Sequence, residues 1–205
     1  MFDFLHSVRR VVLPAVAAVV MAPCVAAEQP YEGFEFPATM TVATQPLTLN
    51  GVGVSSILST RSSVVGLYLP TKQTTADGAF AVKGAKRIQF YMLRTVSARD
   101  LANAFLDRIK QNVSTEEFSA NIMAVSQVGS VFSTTKSLAK GDKITIDYLP
   151  ATQTTEFSLN GQRLGEPIKG EVFYPMMMKV WMGPKIRAST REGLLGQTVS
   201  GNAAN

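Results

Sequence analysis

Two arginines stand beside apolar segments, where a guanidinium group would be chemically useful. Arg61 begins one such segment and Arg94 follows another. A guanidinium can hold a carboxylate or a polarised carbonyl by two parallel hydrogen bonds inside an otherwise apolar pocket. If the strand from Arg61 is regular, Arg61, Ser63 and Val65 lie on one face of it. The pattern predicts either a binding site with an arginine and a hydroxyl, or an arginine whose head group reaches solvent at a strand end.

Three further motifs have chemical interpretations that compete with structural ones. Ser133-Thr134-Thr135-Lys136 has the Ser-x-x-Lys spacing of serine acyl-transfer enzymes, but the Ser-Asp-Asn and Lys-Thr-Gly motifs of those enzymes do not occur. Gly51-Val52-Gly53 lacks the third glycine of a dinucleotide site, so a bulge or a close approach of two backbones is the favoured interpretation. The run Met176–Met178 favours core filling, with a pliable ligand wall as the alternative.

The first 27 residues are predicted to be a secretory signal peptide. Arg9 and Arg10 precede an apolar stretch over residues 11–22, and Val25-Ala26-Ala27 supplies the small residues of a cleavage site. This stretch is shorter than the about 20 residues that span a bilayer, so no stable membrane insertion is expected after cleavage. The mature chain is therefore expected to be periplasmic or secreted.

Cleavage after Ala27 would remove His6 and Cys24, which are the only histidine and the only cysteine of the sequence. Zinc and copper sites, Ser–His–Asp and Cys–His catalysis, and redox pairs all need these side chains. Such mechanisms are excluded for the mature chain. We expect neither a metal nor a cofactor.

The composition is that of one globular domain. Of the 205 residues, 46% are hydrophobic and 17% are charged, which allows a sizeable core without a disulfide or a metal. The net charge of +5 is dispersed, and the densest basic cluster is only Lys83, Lys86 and Arg87. Proteins that neutralise phosphates carry much larger basic blocks, so no nucleic-acid partner is expected.

Strand patterns dominate from residue 39 onward. Alternating or continuous apolar residues predict strands over residues 39–49, 62–69, 86–93, 144–148, 154–159 and 163–168, with turns at Asn50-Gly51, Lys140-Gly141-Asp142 and Asn160-Gly161. Residues 28–38 are rich in proline, glycine and acidic residues and are expected to form an exposed leader. Residues 71–79 are expected to form a loop, and residues 197–205 a disordered tail.

Helical spacing replaces the strand pattern in three segments. Ser97 is predicted to cap the first helix, and Ser114 to form a capping box with Glu117 at the start of the second. Apolar residues at helical spacing predict a third helix over Glu171–Met182, which Gly183-Pro184 ends. Strands, a helix pair, more strands and a last helix are typical of an α+β domain with helices on one face of an antiparallel sheet.

Several short segments combine a distinctive order with a distinctive spacing. They are LNGVGVSS at 49–56, VVGLYLP at 64–70, KRIQFYMLRTVSARDLANAF at 86–105, LAKGDKITIDYLP at 138–150 and KVWMG at 179–183. Together they resemble the bacterial, exported branch of the chalcone isomerase-like family, and the resemblance covers residues 39–196. It implies an open-faced β-sandwich, in which a large antiparallel sheet carries helices on one face and a ligand cleft lies between them.

The resemblance also implies which positions would surround a ligand. In plant members that close chalcones to flavanones, an arginine that polarises the substrate falls at Ser55 of this sequence. A threonine that helps to hold a catalytic water falls at Ser63, and the tyrosine that assists it falls at Leu101. An asparagine of the plant substrate pocket falls at Arg108.

Branches that bind fatty acids also use the arginine that is replaced by Ser55, so a fatty-acid assignment requires that Arg61 or Arg94 substitutes for it. The expected function is non-catalytic binding of a small apolar or amphipathic ligand, aromatic or fatty-acid-like, in the cleft. The alternative is an isomerase or intramolecular lyase that acts on a chalcone-like substrate with Arg61, Ser63 and Tyr68. The predicted ligand-binding residues are Ser55, Arg61, Ser63, Tyr68, Arg94, Leu101 and Arg108.

Overall fold

The computed structural model describes residues 30–57 and 59–197. The predicted signal peptide, residues 1–27, and residues 198–205 of the predicted tail lie outside the described residues. The described strands are β1 (Pro30–Tyr31), β2 (Phe34–Glu35), β3 (Thr39–Val42), β4 (Gln45–Ile57), β5 (Thr60–Leu69), β6 (Lys86–Met92), β7 (Val96–Ser97), β8 (Ser137–Leu138), β9 (Lys143–Leu149), β10 (Thr154–Leu159) and β11 (Gln162–Lys169).

One curled antiparallel sheet organises the molecule, and its seven strands follow the order β11-β10-β9-β6-β5-β4-β3. Two small pairs, β1 with β2 and β7 with β8, stand beside it. Side chains alternate between the two faces of each strand, so that Ile88, Phe90 and Met92 of β6 all point toward one buried layer. The predicted hairpin at Asn160-Gly161 is confirmed, since both residues have a positive φ between β10 and β11.

Helices cover one face of this sheet. They are α1 (Ala76–Ala81), α2 (Ala98–Asn112), α3 (Thr115–Ala120), α4 (Ile122–Val131), α5 (Phe173–Met182) and α6 (Ala188–Leu194). The apolar layer between helices and sheet contains Phe90, Phe105 and Trp181, each at most 2% exposed. The predicted α+β class and open-faced sandwich are thus confirmed. Every helix in the described residues is too short or too polar to span a membrane.

Side-chain caps fix where the central helices begin. The Ser97 hydroxyl accepts a hydrogen bond of 3.0 Å from the Asp100 backbone N–H, and the Ser114 hydroxyl accepts one of 3.1 Å from that of Glu117. The prediction that the Glu117 side chain completes a capping box with Ser114 is wrong. The Glu117 carboxylate instead accepts hydrogen bonds of 2.9 and 2.8 Å from Lys179 Nζ on α5, because this partner offers it an opposite charge.

Glu117→Gln is expected to lower the free energy of unfolding by about 1 kcal/mol, because the ion pair joins α3 to α5 in a partly buried position. The Lys179 and Glu117 side chains are 21% and 28% exposed. Urea unfolding of Glu117→Gln, Lys179→Met and the double variant gives the coupling energy between the two groups. A coupling energy near zero contradicts the prediction.

The predicted turn at Asn50-Gly51 is wrong. β4 continues through these residues, and a β-bulge at Asn50 shifts its register against β5. Asn50 is 4% exposed, and its side chain bonds to the backbone of Gln73 at 2.6 and 3.0 Å and to the Leu194 carbonyl at 2.7 Å. A buried amide satisfied in this way stabilises the bulge. The turn lies earlier, at Ala43 and Thr44, whose φ values are 46° and 68°.

The expected exposed leader is instead part of the fold from residue 30 onward. β1 and β2 form a hairpin that places Phe34 and Phe36 on the sheet face opposite the helices. Phe34 stacks on Tyr91 at 4.6 Å between ring centroids, and the Phe36 ring lies where Gly66 leaves room for it. Phe36 is 2% exposed. This second, smaller apolar layer shields sheet residues that would otherwise face water.

Two short helices, α1 and α6, were not predicted from the sequence. Residues 76–81, which begin inside the loop predicted over residues 71–79, form α1, and Thr75 caps this helix by accepting a 3.2 Å hydrogen bond from the Gly78 N–H. α6 lies directly on β4, so closely that a Cβ atom at Gly51 would stand 2.1 Å from the Gly193 carbonyl oxygen, and one at Gly53 2.6 Å from that of Thr190. The interpretation of Gly51-Val52-Gly53 as a place of close backbone approach is confirmed.

Candidate ligand-binding site

The candidate site begins with two serines where β4 ends and β5 starts. Ser55 and Ser63 are direct partners across these strands, and Ser63 is also paired with Met92 of β6. Both serines are buried, at 3% and 6% exposure. Their cross-strand pairing places two hydroxyls side by side on the face that the helices cover.

Arg108 of α2 reaches across to this pair. Its guanidinium donates to the Ser55 hydroxyl at 3.0 Å, to the Ser56 carbonyl, and to the Val180 carbonyl of α5 at 3.4 Å. Burial lowers the pKa of Arg108 below its usual value, although a guanidinium remains charged at any physiological pH. Among the residues that the structure describes, no carboxylate forms an ion pair with Arg108.

The end of α2 is held firmly, which keeps Arg108 in place. Asn112 donates a 2.8 Å hydrogen bond to the Arg108 carbonyl and accepts one of 2.8 Å from the Lys185 N–H. A Cβ atom at Gly183 would collide with the Asn112 amide oxygen at 2.3 Å. Glycine at this position therefore lets the chain after α5 pass close to α2 and into the site.

Two cavities lie on either side of Arg108. The first has about 220 Å³ and is lined by basic, hydroxyl and amide side chains, namely Ser55, Ser56, Ser59, Arg108, Gln111, Lys185, Arg187 and Thr190, together with Ile186. The second has about 360 Å³ and is lined by Ile57, Ala104, Asp100, Asn103, Asp107, Arg108 and Gln111. Arg108 and Gln111 line both cavities. The Arg108 guanidinium therefore faces one cavity whose charged side chains are all basic and a second cavity that also contains carboxylates.

Arg61 does not belong to this site, and the prediction that it shares a face with Ser63 is wrong. The strand register shows a bulge in β5 at Ser62. Ser63 pairs with Ser55, but Arg61 pairs with the next residue, Ser56, so Ser62 is left without a partner in β4. The Ser62 hydroxyl accepts a 2.9 Å hydrogen bond from the Ile57 N–H, which holds the extra residue in the strand. One inserted residue reverses the face of everything before it. Arg61 therefore lies on the opposite face, where it forms an ion pair with Glu32.

The other predicted residues divide between the site and the core. Arg94 follows β6 and donates to the Ile57 carbonyl at 3.5 Å, so it stands at the same strand ends as Arg108. Tyr68 is fully buried in the small apolar layer on the opposite face, away from Ser63. Leu101 is 2% exposed and fills the core beneath α2, about 10 Å along the helix from Arg108.

The remaining motifs have structural explanations. Ser133 and Lys136 lie in a turn after α4, and both are exposed rather than stacked on one helical turn. Met176, Met177 and Met178 are completely buried in α5, so the expectation of core filling is confirmed.

Sequence reasoning missed Lys185, Arg187 and Thr190 as site residues. The segment after Gly183-Pro184 carries several basic residues, which was the available signal. Their role depends on a fold-back onto β4, where the Thr190 hydroxyl donates a 2.6 Å hydrogen bond to the Val54 carbonyl.

Fold and site together define a class of protein in which an antiparallel sheet and a helical layer meet at a small polar cleft. Residues 28–196 match the family model described as chalcone isomerase-like, and the chain belongs to that family. Its fold is similar to the crystal structure of an Arabidopsis thaliana fatty-acid binding protein, with a TM-score of 0.66 and 17% sequence identity over 82% of this chain and 95% of that one. A search of curated proteins found no match.

Proposed function

We propose that the mature protein binds a small amphipathic molecule through a carboxylate or polarised carbonyl at Arg108, without converting it chemically. The observation that carries this proposal is the cationic cavity, whose lining includes Arg108, Lys185 and Arg187 and no acidic residue. A partly buried guanidinium whose hydrogen bonds all go to neutral acceptors keeps an uncompensated positive charge, which can bind a ligand anion.

The exchange of residues at the site supports the same function. Family resemblance puts an arginine at the position of Ser55 and an asparagine at that of Arg108. In this chain the strand carries the small hydroxyl and the helix carries the arginine, with 3.0 Å between the Ser55 Oγ and Arg108 Nη1 atoms. A guanidinium is thus supplied to the same strand end from the opposite side. Arg108, rather than Arg61, is the substitute that a carboxylate-binding function requires.

Two regions of the protein can accommodate the apolar part of the ligand. Ile57 and Ala104 line the cavity next to Arg108, and α5, which contains Met176, Met177 and Met178, packs against α2. Unbranched thioether side chains repack easily, so α5 can admit a longer chain than the cavities hold at rest. The fatty-acid binding of the Arabidopsis protein with this fold is in keeping with such a ligand. A non-catalytic role is favoured because Leu101 stands where plant enzymes have a tyrosine.

Arg108→Gln is expected to weaken the binding of decanoate about 10- to 100-fold, the usual value of a charge-assisted bidentate contact in a partly buried site. Isothermal titration calorimetry with decanoate gives the dissociation constants. Arg99→Gln is the matched control, because Arg99 lies exposed in the first turn of the same helix and should leave affinity unchanged. Wild-type protein that does not bind decanoate, or an Arg108→Gln variant that binds it equally well, counts against the proposal.

The natural ligand can be sought directly. Mass spectrometry of denatured protein, purified from its native host, is expected to release a fatty-acid-like or aromatic acid. Repeated preparations with nothing bound oppose the proposal.

We also propose that the chain is exported in a bacterium, supported by the signal-like pattern of residues 1–27. Sequencing the amino terminus of the same preparation should find Glu28 first.

A further inference from the structure

A third pocket lies at the other end of the helix-covered face. It has about 430 Å³ and is walled mainly by apolar side chains of α1, of the loops that follow α1 and β9, and of the start of α5, namely Phe80, Val82, Pro150, Val172 and Pro175. Lys86 begins β6, whereas Met92, the partner of Ser63, ends it. Six residues of extended strand place the pocket about 20 Å from the Arg108 site.

Lys86 is the unusual group in this pocket. It is only 5% exposed, and its Nζ atom lies 5.4 Å from the centroid of the Tyr148 ring. Among the described residues it makes no ion pair, since the nearby Glu171 is paired with the exposed Lys83 at 3.4 Å. An amine enclosed by apolar walls and lacking an anionic partner is poorly stabilised as a cation.

Two of the three influences on the Lys86 amine disfavour its charged form. Burial, assisted by the positive charge of Lys83 and opposed by Glu171, lowers the pKa of Lys86 to about 8. About half of the amine is then neutral at pH 8, against a very small fraction for an ordinary lysine. A neutral amine in a pocket is a nucleophile.

We infer that this pocket binds a small aldehyde or ketone, whose carbonyl carbon condenses with Lys86 Nζ. The nitrogen lone pair forms the new C–N bond, the carbonyl electron pair moves to oxygen, and one amine proton passes to that oxygen to give a carbinolamine. Its hydroxyl group then leaves with the second amine proton as water, and the nitrogen electron pair forms the C=N bond of an imine. Hydrolysis reverses the reaction, so no oxidant or reductant is consumed. A carbonyl compound is favoured over a carboxylate because the lowered pKa leaves much of the Lys86 amine uncharged, and Lys83, the other cation of the pocket, is already paired with Glu171.

Reductive trapping tests the inference on the full mature chain. Protein is incubated at pH 8 with hexanal and sodium cyanoborohydride, and adducts are mapped over time by peptide mass spectrometry. Lys86 is expected to be alkylated at least about tenfold faster than the exposed Lys83 and Lys185. Alkylation of Lys86 at the same rate as these lysines, or more slowly, overturns the inference. In Lys86→Arg the preferred adduct should disappear and the slow reaction of the exposed lysines remain.

A second measurement does not depend on the aldehyde. Folding lowers the pKa of Lys86, so the unfolded chain binds more protons and stability should rise as the pH increases from about 8 to about 10.5. The Tm of Lys86→Met should be higher than that of wild type at pH 7, and the difference should shrink over this range. Lys83, Glu171 and Tyr148 face Lys86 and remain in both proteins. Equal Tm values at pH 7 overturn the premise that the amine is held unfavourably.

The two proposed sites can fail independently. Arg108→Gln should leave the labelling of Lys86 unchanged, and Lys86→Met should leave decanoate affinity unchanged. Loss of decanoate binding in Lys86→Met would place the fatty acid in the Lys86 pocket and overturn the inference of a separate carbonyl site.

Discussion

Trp181→Ala is expected to lower the free energy of unfolding by about 4 kcal/mol, the range measured for large aromatic residues removed from a core. Trp181 is 1% exposed, and its ring lies 5.2 Å from that of Phe105 on α2 and 5.6 Å from that of Phe90 on β6. It thereby joins α5, α2 and the sheet at one point. The free energy of unfolding of a native domain is about 5–15 kcal/mol in total, so this substitution removes a large share of the stability.

Thermal unfolding followed by circular dichroism checks this expectation, and a fall in Tm of about 10 °C corresponds to it. Met123→Ala is the control, because Met123 is 75% exposed on α4 and should change stability by less than about 0.5 kcal/mol. Since Val180 precedes Trp181 and its carbonyl accepts from Arg108, weaker decanoate binding should accompany the loss of stability. A Trp181→Ala variant as stable as Met123→Ala would contradict the packing described for α5.

Gly51→Ala is expected to lower the free energy of unfolding by about 3 kcal/mol, at the upper end of the cost of overpacking. The added methyl group would stand 2.1, 2.6 and 2.8 Å from three backbone atoms, the Gly193 oxygen, the Gly196 nitrogen and the Leu194 oxygen. Backbone atoms cannot move aside as a flexible side chain can, so α6 must separate from β4. The contact from Asn50 to the Leu194 carbonyl would be lost with it.

Denaturant unfolding monitored by the fluorescence of Trp181, the only tryptophan of the sequence, measures this effect. Gly129→Ala is the matched control. Gly129 lies in α4 with nothing within 4 Å of the added methyl group, so the same chemical change should stabilise the helix by about 0.5–1 kcal/mol. Opposite signs for the two substitutions are the expected result, and an unaffected Gly51→Ala variant would show that α6 does not need this contact. Because Thr190 of α6 lines the cationic cavity, Gly51→Ala should also weaken decanoate binding.

Periodicity and capping chemistry were sufficient to predict much of the sheet and the beginnings of the central helices. The alternation in β6, β9 and β10 is a local property, since it repeats every two residues and depends on which side chains prefer water. The caps at Ser97 and Ser114 are equally local, because a serine hydroxyl satisfies a backbone N–H only three residues away. Both signals survive in the folded protein because tertiary contacts do not oppose them.

Several of the errors came from contacts between residues that are distant in sequence. Asn50-Gly51 has the composition of a turn, but Gln73 and Leu194 satisfy the Asn50 amide and keep the chain extended. α6 gave no clear signal because a helix of this length is stabilised by β4 beneath it rather than by its own residues.

The sequence by itself determined an α+β sheet-and-helix domain, the absence of histidine and cysteine after residue 27 and, through the family resemblance, Ser55 and Ser63 as candidate site residues. Only the tertiary structure decided which arginine meets them. The bulge at Ser62 turns Arg61 to the far face, while the packing of α2 on the sheet brings Arg108 to Ser55. The physical reason is that side-chain direction along a strand reverses with each inserted residue, and that helix-to-strand contacts are fixed by packing between distant segments.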